Sequence, residues 1–333
     1  MDHKQYIIEA LDVLRKKETQ DKNVFKARAY AKVISELRAY EGAVREMSDI
    51  ANIPGVGASI RDKIKEILET GQLKAAEVVK ADVTVNIREA LLKIYGVGPV
   101  KAAALITDHH VKSIAHLREL YASDPSILND KQAVGLKYYE DINARIPRTE
   151  MESHKTLLMK AIRAAHPEFV AEIVGSYRRG ATDSGDIDML VTLPDSVGES
   201  QKKAAFNNLV TRLTADGYLV EALAKGPTKF MGICKLQEPN AAGRRLDILM
   251  TGAHEYPYAV LYFTGSDKFN MAMRKHALGM GYTMNEHTMK PTSDAAQPPV
   301  MHTEKDIFDF LKLAYVAPEH RSDGKAVREK NIL

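Results

Sequence analysis

The chain has 333 residues, 45% hydrophobic and 27% charged, with a formal net charge of +3. Single cores tend to split beyond ~250 residues, so two or three compact units are expected, with apolar material enough to need neither metal nor disulfide as a staple. The charge is too small to argue for nucleic acid by itself, so any basic surface must be local. The lone cysteine, Cys234, excludes an intrachain disulfide and fits a reducing, intracellular setting, with nucleus and cytoplasm not distinguished.

The opening MDHKQYIIEALDVL reads as an amphipathic helix, because acids come early and the apolar stretch is too short for a signal peptide. No run approaches the ~18 apolar residues of a membrane span. Residues 1 to about 145 read as helix after helix, with apolar residues at helical spacing in YIIEALDVL, YAKVISEL, IRDKIKEIL and IREALLKI. Two of the intervening turns are alike: IPGVGASI from Ile53 and IYGVGPVKAA from Ile94, with G-V-G cores starting at Gly55 and Gly96. Two copies are too few for a solenoid and suggest a duplicated helix–turn–helix unit. Such a turn leaves successive N–H groups at a helix start, able to cradle one phosphate of a nucleic-acid strand without reading its base. Glycine is needed because a Cβ blocks close approach. Carbonyls of the same turn are candidate ligands for a monovalent cation. A lone G-x-G is as often a plain connector; the second copy makes the reading specific.

Around Arg145 the pattern changes. NARIPRTEME carries the proline of a linker and opens a helix, MESHKTLLMKAIRAA. Strand-like runs follow in FVAEIVGSY, IDMLVTL, KFMGICKL and RRLDILMT, with KKAAFNNLVTRLTADGY as a covering helix. Beyond Thr251 come a helix, SDKFNMAMRKHALGMG, short strands, and a solvated loop, TSDAAQPP, from Thr292. The expected fold is multidomain: an all-α amino-terminal half with two helix-hairpin-helix turns, then an α+β half.

Strand side chains alternate, so Asp186 and Asp188 project to one face while Ile187 and Met189 enter the core. Asp247, between Leu246 and Ile248, repeats the arrangement in a second strand-like run. If the two strands are neighbours, three carboxylates converge, a cluster tolerable chiefly around divalent cations; oxygen ligands suit Mg²⁺. Two such ions can clamp the attacking and leaving oxygens of a phosphoryl transfer. Upstream, Gly175 and Ser176 offer a tight turn to phosphate, and Arg178 and Arg179 offer forked donors. An isolated D-x-D is common on solvated strand ends, and R-R-G is usually a surface turn. The run G-S-x-x-R-G, G-D-x-D and a remote strand aspartate together mark nucleotidyl transfer.

With IPGVG, YGVGP, GSYRRGATDSGDIDML, TKFMGI, RRLDI and LYFTGSDKFNMAMRKHALGMGYTMNEHT in one order, the chain resembles family X of the DNA polymerases, most closely its polymerase beta branch. The likeness covers about Phe25 to Tyr315. It implies a helical DNA-binding and lyase domain with the first helix-hairpin-helix over 1–80, and a thumb-like helical DNA-binding subdomain with the second over 81–142. A nucleotidyltransferase palm over 143–250 and a finger-like, nucleotide-selecting subdomain over 251–333 complete it. Asp186, Asp188 and Asp247 match ligands of two Mg²⁺ ions, with Asp247 also activating the primer 3′-hydroxyl. Arg145, Ser176, Arg179 and Gly185 match positions that hold the incoming triphosphate. Tyr262 and Phe263 match the segment that excludes a ribose 2′-hydroxyl, and Gly265, Asp267 and Asn270 also match nucleotide-binding positions. Lys229 and Arg274 match positions near the template. Gly55, Gly57, Gly96 and Gly98 match DNA-backbone contacts. The carbonyls of Ala51, Ile53, Val56, Leu92, Ile94 and Val97 match ligands of monovalent cations (Na⁺ or K⁺).

A second activity follows from the same resemblance: release of a 5′-deoxyribose phosphate through a Schiff base on Lys63, with Lys26 and Tyr30 near the phosphate pocket. Ser59 and Ala75 depart from the lysines of that pocket, and Lys65 and Lys74 lie close by. Leu249 stands where the related enzyme has an arginine that exchanges partners between a catalytic aspartate and an acid matching Glu286, and His287 replaces a tyrosine beside that acid, so closure is expected to be gated differently. The expected function is gap-filling synthesis in base excision repair on gapped or nicked duplex DNA with dNTPs. Other repair proteins are candidate partners, and the protein is expected to be monomeric and without a membrane, a proofreading nuclease or a partner-binding domain before Met1. The alternatives are a gap- and 5′-phosphate-binding module with an idle transferase site, and a nucleotidyltransferase acting on a non-DNA acceptor. The aspartate triad argues against the first and the paired G-V-G turns against the second.

Overall fold

A computed structural model describes residues 2–81, 83–292 and 296–330. It divides the chain into two compact units, Met1–Gln132 and Ala133–Leu333. Among the described residues no helix is long and apolar enough to cross a membrane.

The first unit is helical throughout. Lys4–Gln20, Val24–Ala39 and Ala58–Thr70 close around one core that includes Ile7, Leu11, Val33, Leu37, Ile64 and Ile67. Helix Ala58–Thr70 buries Ile60, Ile64 and Ile67, one stripe at helical spacing, and ends at Gly71 with φ +76°, the left-handed cap that glycine supplies without strain. The two G-V-G turns have nearly the same backbone. Gly55 and Gly96 take φ of +88° and +80°. Gly57 and Gly98 are extended (−75°, 172° and −91°, 177°) and cap helices Ala58–Thr70 and Pro99–Thr107.

In the second unit a five-stranded sheet runs, in spatial order, Val170–Ile173, Ile187–Thr192, Arg244–Thr251, Lys229–Cys234 and Leu219–Lys225. All neighbours are antiparallel except Ile187–Thr192 and Arg244–Thr251, which run parallel. Helices Arg148–Ala165 and Glu199–Ala215 cover one face, where Leu158, Ile162, Phe206 and Leu209 meet Ile187, Met189, Val191, Leu246 and Ile248. On the other face, Ala259 and Val260 of helix Tyr256–Thr264 sit on Leu190.

Two sequence expectations change. Leu219–Lys225 forms a strand not anticipated, paired with Lys229–Cys234. The run FVAEIVGSY is strand only over Val170–Ile173; Gly175 turns to φ +64° and Gly175–Arg178 is a single helical turn. The carboxy-terminal lobe packs helices Tyr256–Thr264, Asp267–Gly279 and Glu304–Phe310 with the hairpin Tyr282–Met284/Met289–Pro291 over Phe269, Met273, Ile307 and Phe308. Within the loop expected from Thr292, residues 293–295 lie outside the described residues.

Candidate active site

The parallel pairing fixes the centre of the site. Asp188 lies opposite Asp247, and Leu190 opposite Leu249, on adjacent strands. Strand alternation puts all four on the face away from Met189 and Ile248, with Asp186 one step beyond Asp188. Ala259 and Val260 of helix Tyr256–Thr264 pack with Leu190, and Leu249 lies against the same cluster. The result is one wall of half-buried carboxylates at the edge of an apolar patch.

Arg245 stands among these carboxylates. Its Nη2 lies 3.1 Å from Asp247 Oδ2 and 3.6 Å from Asp186 Oδ2. Sequence reasoning did not single it out, although alternation back from Asp247 places residue 245 on the carboxylate face. Arg244 points the opposite way and is forked onto Glu150 at 2.7 and 2.8 Å. Burial, then the charges of Asp186 and Asp247, push the Asp188 carboxyl up to about 7, against a partial offset from Arg245. Burial likewise raises Asp247, which Arg245 and Lys229 pull down and Asp186 pushes up.

Among the described residues no three His, Cys, Asp or Glu side chains are disposed to hold a metal ion by themselves. The donors nevertheless suit hard divalent ions. They are carboxylate oxygens only, they repel one another, and Asp247 Oδ1 is buried with no hydrogen-bond partner. An ion completed by substrate oxygens and water needs such a partial set.

The turn before the aspartates is built to approach them. A Cβ on Gly175 would lie 2.8 Å from Asp188 Oδ2 and press on that carboxylate, and the φ of +64° at this position favours glycine in its own right. Ser176 Oγ is 3.2 Å from Ser184 Oγ. The two arginines part company. Arg178 is committed to Glu172 (2.8 Å), Thr264 Oγ1 (2.9 Å) and, through two bonds, Glu304, so it is an internal tie and not a phosphate donor. Arg179 gives one bond to the Thr264 carbonyl (2.6 Å) and stands beside Gly265. Arg145 reaches Asp183 and stands beside Gly185.

Tyr262 and Phe263 end helix Tyr256–Thr264 with their rings edge to face, 5.2 Å apart. Asn270 donates to the Tyr262 carbonyl (2.7 Å) and shares a cleft with Tyr262, Arg274 and Asn285. Asp267 is exposed at the start of helix Asp267–Gly279, which Ser266 Oγ caps by accepting from the Phe269 N–H. Lys229 is exposed and pairs with Leu249 across the sheet.

In the helical unit, Lys63 Nζ donates to Ser59 Oγ (2.9 Å) and to the Ser59 carbonyl (3.2 Å). Lys26 is exposed and pairs with Glu18 at 3.5 Å, while Tyr30 is buried and its hydroxyl pKa is pushed up by burial and by Glu18. Lys65 pairs with Glu69, the Lys74 N–H donates to Glu66, and Ala75 is exposed. At the G-V-G turns a Cβ on Gly57 or Gly98 would meet open space, whereas on Gly55 it would lie 3.1 Å from the Lys32 side chain. Ile53, Ile94 and Val97 have buried side chains, Val56 is half-buried, and the Ile94 carbonyl accepts from the Val97 N–H. Ala51 is exposed, and Leu92 is 39% exposed as the last residue of helix Val83–Leu92.

Comparison with known proteins matches four family models in sequence along the chain. They are a helix-hairpin-helix domain over 2–73, the fingers domain of DNA polymerase lambda over 89–143, the DNA polymerase beta palm over 145–253 and the DNA polymerase beta thumb over 259–322. DNA polymerase lambda of Rattus norvegicus is 32% identical over 330 residues, 95% of this chain and 56% of the relative. DNA polymerase lambda of Arabidopsis thaliana is 29% identical over 313 residues, 88% of this chain and 57% of the relative.

The chain belongs to family X of the DNA polymerases. It spans just over half the length of these curated relatives. The matched models call residues 89–143 fingers and 259–322 thumb, the reverse of the hand labels used for the sequence. Family X polymerases use divalent metal ions, which accords with the partial oxygen set on the sheet. Within this family X site, Leu249 packs toward an apolar cluster of Val174, Leu190, Ala259 and Val260, joined by Tyr256 and Phe263. Glu286 sits 3.7 Å from His287, which also reaches Glu255 at 3.3 Å. A leucine offers Glu286 no ionic partner, so the arginine exchange implied by the resemblance has no counterpart at residue 249.

Proposed function

We propose that this protein is a template-directed, gap-filling DNA polymerase of base excision repair, adding dNTPs to a primer 3′-hydroxyl, and that it also removes 5′-deoxyribose phosphate. The observation that carries the first activity is the register of Asp188 against Asp247, with Asp186 alongside and Asp247 Oδ1 left without a partner. Two Mg²⁺ ions held by Asp186, Asp188 and Asp247 would supply neutralisation of phosphoryl oxygens and acidification of the 3′-hydroxyl. The chain's own part is positioning. Arg179, Arg145, Ser176 and Gly185 receive the triphosphate, while Tyr262, Phe263 and Gly265 crowd the sugar edge and select deoxyribose. Asp267 and Asn270 lie along the nucleotide, Lys229 and Arg274 steady the template, and Asp247 draws the primer hydroxyl toward its unpaired oxygen.

In the helical unit the paired G-V-G turns would grip backbone phosphates through their N–H groups. The carbonyls of Ala51, Ile53 and Val56, and of Leu92, Ile94 and Val97, would add a Na⁺ or K⁺ at each turn. The Lys63 amine would attack the sugar aldehyde, with Ser59 beside it as the hydrogen-bond acceptor that orients it. We assign the boundaries 1–80, 81–142, 143–250 and 251–333 to these roles, on gapped or nicked duplex, in a reducing intracellular compartment and as a monomer.

A one-nucleotide gapped duplex, Mg²⁺ and labelled dNTPs test the polymerase, with Asp247→Ala as control. The parent should insert the templated nucleotide and the variant should lose at least a hundredfold in rate, on the order of one lost electrostatic contact at a reacting oxygen. Tight gap binding without insertion would leave a DNA-binding module with an idle site. Borohydride should trap the parent, and not Lys63→Ala, on a 5′-deoxyribose phosphate end.

A further inference from the structure

Arg145 and Asp183 are brought together by a two-residue ladder. Ile146 pairs with Ser184 and Pro147 with Asp183, so the residue before the first strand faces the start of the G-D-x-D turn. Arg145 spends two of its three guanidinium nitrogens there. Nε and Nη2 both donate to Asp183 Oδ1, at 2.9 and 2.6 Å, and Nη2 also reaches the Asp183 carbonyl at 3.2 Å. The third nitrogen, Nη1, stands over Gly185, where a Cβ would come within 3.1 Å of it. The hydroxyls of Ser184 and Ser176 meet just behind, and Asp186 follows Gly185. Half of each side chain remains in water, at 58% and 46% exposure.

This pair faces the polyanion that the proposed function brings in. An exposed Arg–Asp contact is worth little and exchanges readily, whereas a guanidinium prefers the bidentate oxygens and higher charge of a phosphate. We infer that Asp183 is a resident counter-ion of Arg145, which the incoming triphosphate must displace, so that this carboxylate sets the affinity for nucleotide. It keeps the guanidinium aimed at Gly185 while the site is empty, and it opposes the nucleotide by competing for Arg145. The position is three residues ahead of Asp186, and nothing in D-S-G-D by itself says that Asp183 turns back to an arginine; only the ladder does.

The inference rests on the polymerase reading, and one experiment separates their failures. The full chain is bound to a gapped duplex with a dideoxy-terminated primer, and the Kd for the templated dNTP is measured for parent, Asp183→Asn, Asp183→Ser, Arg145→Ala and the Arg145→Ala/Asp183→Asn pair. Both Asp183 variants should bind dNTP about three- to tenfold more tightly than the parent, roughly the worth of one exposed ion pair. Asp183→Asn should change nothing once Arg145 is alanine. Unchanged or weaker binding in the Asp183 variants, with the parent binding normally, overturns the counter-ion role alone. Tightening that persists without Arg145 also overturns it, because the effect is then a general field. A parent that binds no dNTP at all overturns the polymerase reading with it.

Discussion

Asp188 carries its charge against the preference of the fold. Burial and two like-charged neighbours push it up to about 7, and Arg245 offsets only part of that. Asp188→Asn keeps the shape and removes the repulsion. It should abolish insertion and yet raise the stability of the metal-free protein at neutral pH by about 1–3 kcal/mol, the usual trade between a strained site and a stable one. Urea unfolding in EDTA beside gap-filling assays checks both halves, and a less stable variant would mean that partners other than the aspartates hold the carboxylate. At this scale the carboxylate wall was legible, because alternation from Ile187 and Leu246 leaves the aspartates one face to occupy. The fate of the arginines was less so. Arg178 and Arg179 are neighbours in sequence, but a helical turn sends the first to Glu172 and Glu304 and the second to the Thr264 carbonyl.

The two G-V-G turns show how one residue type answers two demands within one element. Gly55 is glycine for its backbone, at φ +88°, where an L side chain is strained. Gly57 is extended, and its Cβ position is open, so nothing inside the protein requires glycine there. Gly55→Ala should therefore cost about 1–2 kcal/mol of stability. Gly57→Ala should cost about 0.5 kcal/mol, the worth of a poorer helix cap, and should weaken duplex binding severalfold by standing between the turn and a phosphate. Thermal unfolding and binding to gapped duplex separate the two; equal loss of DNA affinity per kcal/mol in both variants would make Gly57 a folding residue only. These turns were legible because glycine spacing is local. The strand Leu219–Lys225 was not, because LVEALAK is built largely of good helix formers, and its pairing with Lys229–Cys234 overrides that preference.

At the scale of the molecule, what holds the second unit together beyond its apolar core is a pair of buried polar chains that no spacing rule announces. Arg178 and Arg321 share Glu304, and the Arg321 guanidinium also lies over Phe269 and Phe308. Beneath the sheet, the fully buried His154 meets the Tyr218 hydroxyl at 2.7 Å and lies 3.6 Å from Glu150, itself forked by Arg244. Burial lowers His154 to about 4, with Glu150 opposing and Arg244 assisting. Between about 6.5, the value for an unfolded histidine, and about 4 the unfolded chain binds a proton that the folded chain refuses, so this group removes stability as pH falls. Asp188 does the reverse: between about 7 and the ordinary carboxylate value the folded chain holds a proton that the unfolded chain releases, so acidification adds stability. Each slope approaches ~1.4 kcal/mol per pH unit, and over most of that window they oppose each other. In EDTA the parent should thus lose less stability between pH 6.5 and 4.5 than Asp188→Asn, in which only the histidine remains, and more than His154→Asn, in which only the aspartate remains. Chemical unfolding of the three proteins at the two pH values reads the difference directly. Parallel pH profiles for all three would show that neither group titrates differently in the folded chain.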